Sequence, residues 1–278
     1  MARSALVLGG GGVTGVAWEL GLIAGLAEAG VDLTTADLVV GTSAGSVVAA
    51  QITSGTALEE LYARQLAGYG AESPARLGLG TMLSLVWASL TSRNPKRARA
   101  RMGALALATR TMPESSRRAI FESRLPSHEW PDQRLLVTAV DALSGEFVTF
   151  DRDSGVSLVD AVAASCAVPG VWPPATVNGR RYVDGGMRSP VNADLAVGHE
   201  RVVVLAPVTA SFPGSTRVAA QIAALRKAAT VVLVTPDRLT AKAIGRNMLD
   251  PARRAPAARA GRRQANDVAS QIAAVWSR

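Results

Sequence analysis

The stretch Leu38-Val39-Val40-Gly41-Thr42-Ser43-Ala44-Gly45-Ser46-Val47-Val48-Ala49-Ala50 limits the possible folds more than any other part of the chain. A short β-branched run, a serine between two glycines and an Ala-rich segment at helical spacing read as strand, abrupt turn, helix. So sharp a bend strains the backbone of Ser43, and Gly41 and Gly45 suit it because a Cβ at either would strike the adjacent strand or helix. This is the geometry of a nucleophile elbow. The hydroxyl stands above a sheet, and the N-terminus of the following helix lends partial positive charge to an oxyanion. An ordinary Gly/Ser turn in an α/β protein carries the same five residues, so the rest of the chain has to decide between them.

Just upstream, Ser4 to Leu8 read as a first strand ending in Gly9-Gly10-Gly11-Gly12-Val13-Thr14-Gly15. From Val16 to Ala29 apolar residues recur at helical spacing, and Gly30 is a natural stop. Four glycines between strand and helix let backbone N–H groups converge on one point, an anion-binding nest. Two ligands fit such a nest. One is a nucleotide phosphate, since Gly10-x-Gly12-x-x-Gly15 matches the dinucleotide fingerprint, but the second strand ends in Gly41-Thr42-Ser43 and lacks the acidic ribose anchor. A Walker loop is excluded because no Lys-Ser/Thr pair follows the glycines. The other is the transient oxyanion of a carbonyl attacked by Ser43, since consecutive parallel strands deliver both turns to the same edge of the sheet.

A chain of 278 residues with 48% hydrophobic residues can bury one substantial core. Aromatics are only 4%, so Ala, Val and Leu must do the packing, as in helices laid on a parallel sheet. The single cysteine, Cys166, excludes an internal disulfide framework and a thiolate zinc cluster, and it suits a reducing, cytoplasmic setting. Residues 1 to 8 are too short an apolar run for a signal peptide, and no apolar stretch reaches the ~18 residues that span a bilayer. The expectation is therefore a soluble or peripheral membrane protein. Net charge is +8, with arginines gathered in residues 93 to 124 and 253 to 263. Neither cluster interleaves aromatics as single-strand nucleic-acid binders do, so an anionic lipid surface is the better match than nucleic acid.

Farther on, Thr56 to Gly68 read as a helix with Thr56 and Glu59 as a capping box. From about residue 70 to 125 strand signals vanish. Met82, Leu83, Leu85, Val86, Trp87 and Leu90 form an apolar cluster, followed by Arg93, Lys96, Arg97, Arg99 and Arg101. This is expected to be a helical cap whose apolar face lines an acyl pocket or meets a membrane. The sheet resumes at Arg134 to Val140 and returns through Glu146 to Phe150 as a hairpin. Leu158 to Ser165 read as a small helix, and the Pro-broken segment from Cys166 to Pro174 reads as a pocket wall, with Cys166 as a buried small residue. Asn178-Gly179 turns a second hairpin that delivers Asp184-Gly185-Gly186 at a strand end. Strands at Arg201 to Ala206 and Thr230 to Val234 flank a helix from Thr216 to Ala229. The basic tail from 251 to 278 is expected to be irregular to Gly261 and helical from Asn266 to Trp276.

A serine needs a neighbour to take its proton. Only two histidines exist: His128 in a polar turn, and His199 before the N-terminal end of a strand, the sheet edge away from Ser43. Both read as surface histidines, which leaves the carboxylate of Asp184. Three motifs in this order, Gly10-Gly11-Gly12-Val13-Thr14-Gly15, Gly41-Thr42-Ser43-Ala44-Gly45 and Asp184-Gly185-Gly186, resemble the patatin-like acyl hydrolases. Ala164-Ser165-Cys166-Ala167-Val168-Pro169 is similar to a segment preceding that family's aspartate. The resemblance covers about residues 4 to 210, with one departure: Thr14 stands where many members carry Lys or Arg.

The resemblance implies one three-layer α/β sandwich over residues 1–278, with a mostly parallel central sheet and a helical cap insertion. It implies a Ser43–Asp184 dyad with no catalytic histidine, and an oxyanion hole from the N–H groups of Gly10, Gly11 and Gly12. Gly15, Gly41, Gly45, Gly185 and Gly186 support the motifs. Neither metal nor cofactor is expected. The implied reaction is hydrolysis of phospholipid or other long-chain acyl esters through an acyl-serine intermediate, with lipid as substrate and peripheral contact with an anionic membrane. A non-catalytic acyl-lipid or membrane-binding scaffold on the same fold is the alternative.

Overall fold

Short runs of β-branched residues, each followed by a turn and an amphipathic helix, generate the architecture. The computed structural model describes residues 3–68 and 75–276. In chain order, β1 (Ser4–Leu8) leads into α1 (Gly12–Glu28) and β2 (Leu38–Gly41) into α2 (Ala44–Ile52). Four helices follow: α3 (Leu58–Ala67), α4 (Leu79–Leu90), α5 (Pro95–Ala108) and α6 (Glu114–Arg124). Then come β3 (Arg134–Asp141), β4 (Phe147–Phe150), α7 (Leu158–Ser165), β5 (Ala175–Val177) and β6 (Arg180–Asp184). The described chain closes with β7 (Arg201–Leu205), α8 (Val218–Leu225), β8 (Thr230–Val234), α9 (Arg238–Ile244) and α10 (Arg254–Trp276).

These strands form one sheet in the order β5-β6-β3-β2-β1-β7-β8, with β4 paired to β3. β8, β7, β1, β2 and β3 are parallel, whereas β4, β6 and β5 join antiparallel. Alternate side chains feed two faces, as the period of two requires. Leu6, Leu8, Val39, Val137, Val203 and Leu205 pack under α1, α2, α7 and α10. On the other face, Ala5, Val7, Val40, Val202 and Val204 meet α8, and Val140 and Val183 meet α4 and α5. Helix, sheet and helix make the three layers expected. No helix among the described residues is long and apolar enough to cross a membrane.

The sequence of pairings along β3 decides where the chemistry can lie. β4 occupies one edge of β3, opposite Val137 to Val140. The other edge is shared: β2 ends with Gly41 opposite Val137, and β6 ends with Asp184 opposite Ala139. Because β2 is parallel to β3 and β6 antiparallel, their C-terminal ends meet head to head on that shared edge.

Three expectations change. The basic tail is not irregular from 251 to 261, since α10 runs unbroken from Arg254. Pro256 falls in its first turn, where a missing N–H removes no helical hydrogen bond, and tertiary contact fixes the rest. α1 and α10 approach so closely at glycines that a Cβ on Gly21 would lie 2.1 Å from the Ala258 carbonyl oxygen. The capping box at α3 does not form: Ala57 is the cap residue, Thr56 Oγ1 accepts from the Ser54 hydroxyl, and Glu59 pairs with Arg262. The helices expected as a cap divide between the two faces, α4 and α5 lying beneath β3 and β6 while α6 returns to the side of α7. Residues 69–74, where that insertion was expected to begin, lie outside the described residues.

Candidate active site

Ser43 stands between β2 and α2 with φ 53° and ψ −118°, a conformation an L-residue rarely adopts. Its surroundings force it there. A Cβ at Gly45 would lie 2.1 Å from the Leu8 carbonyl oxygen, and one at Gly41 would lie 2.5 Å from Ser46 Cα, so both glycines allow the helix to abut the strands. The strained peptide is anchored by a residue that sequence reasoning passed over: Ser43 N–H donates to Ser165 Oγ at 2.9 Å. Ser165 lay inside the Ala-Ser-x-Ala-x-Pro segment, which was the only signal available. Cys166, the next residue, donates through Sγ to the Ser43 carbonyl at 3.2 Å. Burial first, then the charge of Asp184, pushes this thiol up to about 12, so it is no thiolate nucleophile.

Asp184 reaches Ser43 from the meeting of strand ends on β3. Its carboxyl is buried and accepts a hydrogen bond of 2.7 Å from Gly186 N–H to Oδ1. Burial pushes the carboxyl up to about 6, against the lowering effect of the nearby Ser43 side chain and of the Gly186 amide. Beneath it, the buried Asn192 donates through Nδ2 to Thr42 Oγ1 at 3.1 Å and Gly185 O at 3.3 Å, tying the elbow to the Asp-Gly-Gly turn. Gly185 is required at that turn, since a Cβ would lie 2.3 Å from Thr138 Oγ1. No sequence pattern marks Asn192 for this task, because its partners Thr42, Thr138 and Gly185 come from three separate parts of the chain.

The glycine loop presents its amides unevenly. Gly10 lies against Ser43, but its N–H donates to Pro190 O at 2.8 Å and is therefore no oxyanion donor, contrary to expectation. Gly9 N–H is held by Leu205 O at 3.0 Å and by Glu19 Oε1 at 2.9 Å. Glu19 is fully buried, and burial holds its carboxyl well above the usual range against the lowering effect of the Gly9 amide. Gly11 and Gly12 N–H meet no acceptor among the described residues, and neither does Ala44 N–H at the start of α2. Gly12 has φ +59°, and Gly15 N–H returns to Gly11 O at 2.8 Å to close the first turn. Thr14 is turned away from the pocket, its N–H donating to Met248 O at 3.2 Å.

A cavity of about 380 Å³ opens in front of Ser43, within the range of small-ligand sites. Val16, Val47, Ile120, Phe121, Val168 and Leu249 give it an apolar wall, and Arg117 and Arg124 are its only charged lining residues among those described. The Arg117 guanidinium stacks 3.9 Å from the Trp172 ring and 4.6 Å from that of Phe121. Of the described residues of the expected cap, only Ala75 and the stretch from Met112 to Arg124 border the cavity. Neither histidine does. His128 Nε2 contacts Glu122 O at 2.9 Å, and His199 sits at the far edge of the sheet with Nδ1 near Ala196 O at 3.1 Å. His199 is buried, not on the surface as expected.

A nucleophile-type hydroxyl, a buried carboxyl near it and amides with no acceptor among the described residues, beside an apolar cavity, are the parts needed for acyl transfer. Comparison with known proteins gives the family. The model of the patatin-like phospholipase family matches residues 6–197. Uncharacterised NTE family proteins of Mycobacterium tuberculosis and Mycobacterium bovis are each 32% identical over 203 residues, 70% of this chain and 48% of theirs. The chain thus spans about half the length of the curated relatives it matches. Among solved structures, VipD from Legionella pneumophila aligns with 98% of this chain and 67% of its own at TM-score 0.49 and 13% identity. The type III effector protein ExoU aligns with 98% and 53% at TM-score 0.45 and 16% identity.

Proposed function

We propose, from the premise that the chain belongs to the patatin-like phospholipase family, that it is a lipid acyl hydrolase cleaving carboxylic esters of phospholipids through an acyl-Ser43 intermediate. The observation that carries this reading is the buried Asp184 carboxyl close enough to the Ser43 side chain for that side chain to lower its proton affinity. Ser43 Oγ attacks the ester carbonyl while Asp184 accepts its proton, and the protonated Asp184 then gives that proton to the departing alcohol. The negative charge that develops on the carbonyl oxygen is met by the N–H groups of Gly11 and Gly12, with Ala44 N–H available from the elbow helix. Water, deprotonated by Asp184, attacks the acyl-Ser43 carbonyl, and as the C–Oγ bond breaks Asp184 returns the proton to Ser43 Oγ, freeing the fatty acid. The apolar cavity receives the acyl chain, and Arg117 and Arg124 suit an anionic headgroup. In this reading the protein meets its lipid as a peripheral visitor to an anionic membrane.

The test is an alkyl fluorophosphonate, followed by mapping of the adduct. Labelling is expected at Ser43 alone and not in Ser43→Ala. His128→Ala and His199→Ala should retain near wild-type hydrolysis, whereas a large loss in either would replace the dyad with a triad. No adduct, together with no hydrolysis of any nitrophenyl acyl ester, would leave the fold as an acyl-binding scaffold.

Ser165 offers a finer check. Ser165→Ala removes the acceptor of a buried amide, a cost of about 1–3 kcal/mol, and it loosens the strained elbow. A fall in kcat of about tenfold or more with little change in KM is expected, because misplacing a nucleophile harms the reaction and not binding. An equal rise in KM would mean that Ser165 shapes the pocket instead.

A further inference from the structure

The apolar cluster of the expected cap does not line the cavity. It lies on the outside of α4, where Leu79, Leu83, Trp87 and Leu90 are 77%, 60%, 71% and 61% exposed. Their spacing of four, four and three places them on one helical stripe. The opposite stripe, with Leu85 and Ala88, is buried against Met102 and Ala106 of α5. So large an apolar stripe facing water marks an interaction surface. Its neighbourhood says with what. Between Glu72 and Glu114 the sequence contains no Asp or Glu, yet it carries Arg76, Arg93, Lys96, Arg97, Arg99, Arg101 and Arg110. Arg93 and Arg97, at the α4–α5 turn and in the first turn of α5, are exposed and meet no carboxylate among the described residues.

We propose that the outer stripe of α4 and the basic turn after it form one docking surface for an anionic bilayer, with the apolar side chains entering the acyl layer and the cations meeting lipid phosphates. A protein partner would want acidic counter-charges in fixed positions, whereas an anionic bilayer supplies a continuous negative field beside an apolar phase. The surface also adjoins the cavity. Ala75 lines it, and the Thr81 side chain rests against Gly170, in the same loop as the lining residues Val168 and Trp172. Docking therefore brings lipid to the edge of the cavity. The proposal rests on the lipid hydrolase reading for its purpose, but binding itself is measured without turnover.

The full chain is sedimented with vesicles of ether-linked phosphatidylcholine, alone or with about one-third ether-linked phosphatidylglycerol, at low and high salt. These lipids hold no ester to cleave. Binding to the anionic vesicles is expected, strongest at low salt. Leu83→Ser with Trp87→Ala should lower the partition coefficient about tenfold or more at either salt, and Arg93→Glu with Arg97→Glu should remove the salt dependence. Both double variants should keep the wild-type melting temperature and hydrolysis of a soluble short-chain ester. Binding that neither pair changes would overturn the proposal. So would self-association without lipid that the Leu83 and Trp87 changes abolish, since another copy of the chain would then cover the stripe. Vesicle binding with no ester hydrolysed would sink the hydrolase reading and leave this surface standing.

Discussion

Asp184→Asn is expected to lower kcat/KM roughly a thousandfold, within the range for losing a general base, while making the folded protein more stable at neutral pH. The two effects share one cause. Burial raises the Asp184 carboxyl to about 6 in the folded state from an ordinary value of 3.8, so the folded protein holds the proton more tightly than the unfolded chain. The stabilising contribution of that proton is full below the unfolded value and is lost as pH rises through about 6. At pH 8 the folded protein therefore carries a desolvated carboxylate at a cost on the order of 3 kcal/mol. Asparagine carries no charge and escapes this cost, although its amide cannot take the Ser43 proton. Thermal melts should show a gain of several degrees for the variant at pH 8 that shrinks toward pH 5. In the wild type, kcat/KM should rise with pH through about 6 and level above it, as the carboxylate form becomes populated. A variant melting below wild type at pH 8, or a wild-type rate that is flat through pH 6, would show that Asp184 is not the strained base described here.

Gly21→Leu should have the largest effect on stability. The α1–α10 pair is built on backbone-to-backbone approach: ideal Cβ positions lie 2.1 Å from Ala258 O at Gly21 and 2.7 Å from Ala265 Cβ at Gly25. From the other side, a Cβ on Gly261 would lie 2.3 Å from Trp18 O. Backbone cannot swing aside as a flexible side chain does. Separating the helices also strains the bonds from Trp18 Nε1 to Gln264 Oε1 and from Trp276 Nε1 to Asp32 O. A loss of roughly 3 kcal/mol or more is expected, seen as a fall in Tm of about 10 °C. Activity should fall with it, because the segment entering α10 supplies Leu249 to the cavity wall and Met248 O to Thr14 N–H. Gly80→Ala in α4, with nothing within 4 Å of the added carbon, is the control and should be neutral or slightly stabilising.

Much of the site was legible because its constraints are local and steric. A strand that turns through one serine into a helix demands glycine on both sides, and an amide nest demands a run of glycines, so Gly41-Thr42-Ser43-Ala44-Gly45 and Gly9 to Gly12 could be read without a partner in view. Asp184-Gly185-Gly186 was equally visible as a strand-end carboxylate. The failures are instructive in the same terms. Thr56 and Glu59 match a capping box in composition, yet Glu59 is drawn to Arg262, more than two hundred residues away in sequence. Residues 254 to 261 look like loop because Ala, Arg and Pro mix there, but α1 offers a glycine-lined groove that repays the ordering of a helix.

The sequence by itself determined the strand–turn–helix units and marked Ser43 and Asp184 as the candidate reacting groups, since both follow from what neighbouring residues allow. Only the tertiary structure decided that β2 and β6 share an edge of β3, and that pairing brings Asp184 near Ser43 although the two lie 141 positions apart in the chain. It also decided which amides remain free of acceptors among the described residues, sending Gly10 N–H to Pro190 O and leaving Gly11 and Gly12. A backbone donor looks the same at every residue in the sequence, and its partner is chosen by whichever distant strand or loop folds against it.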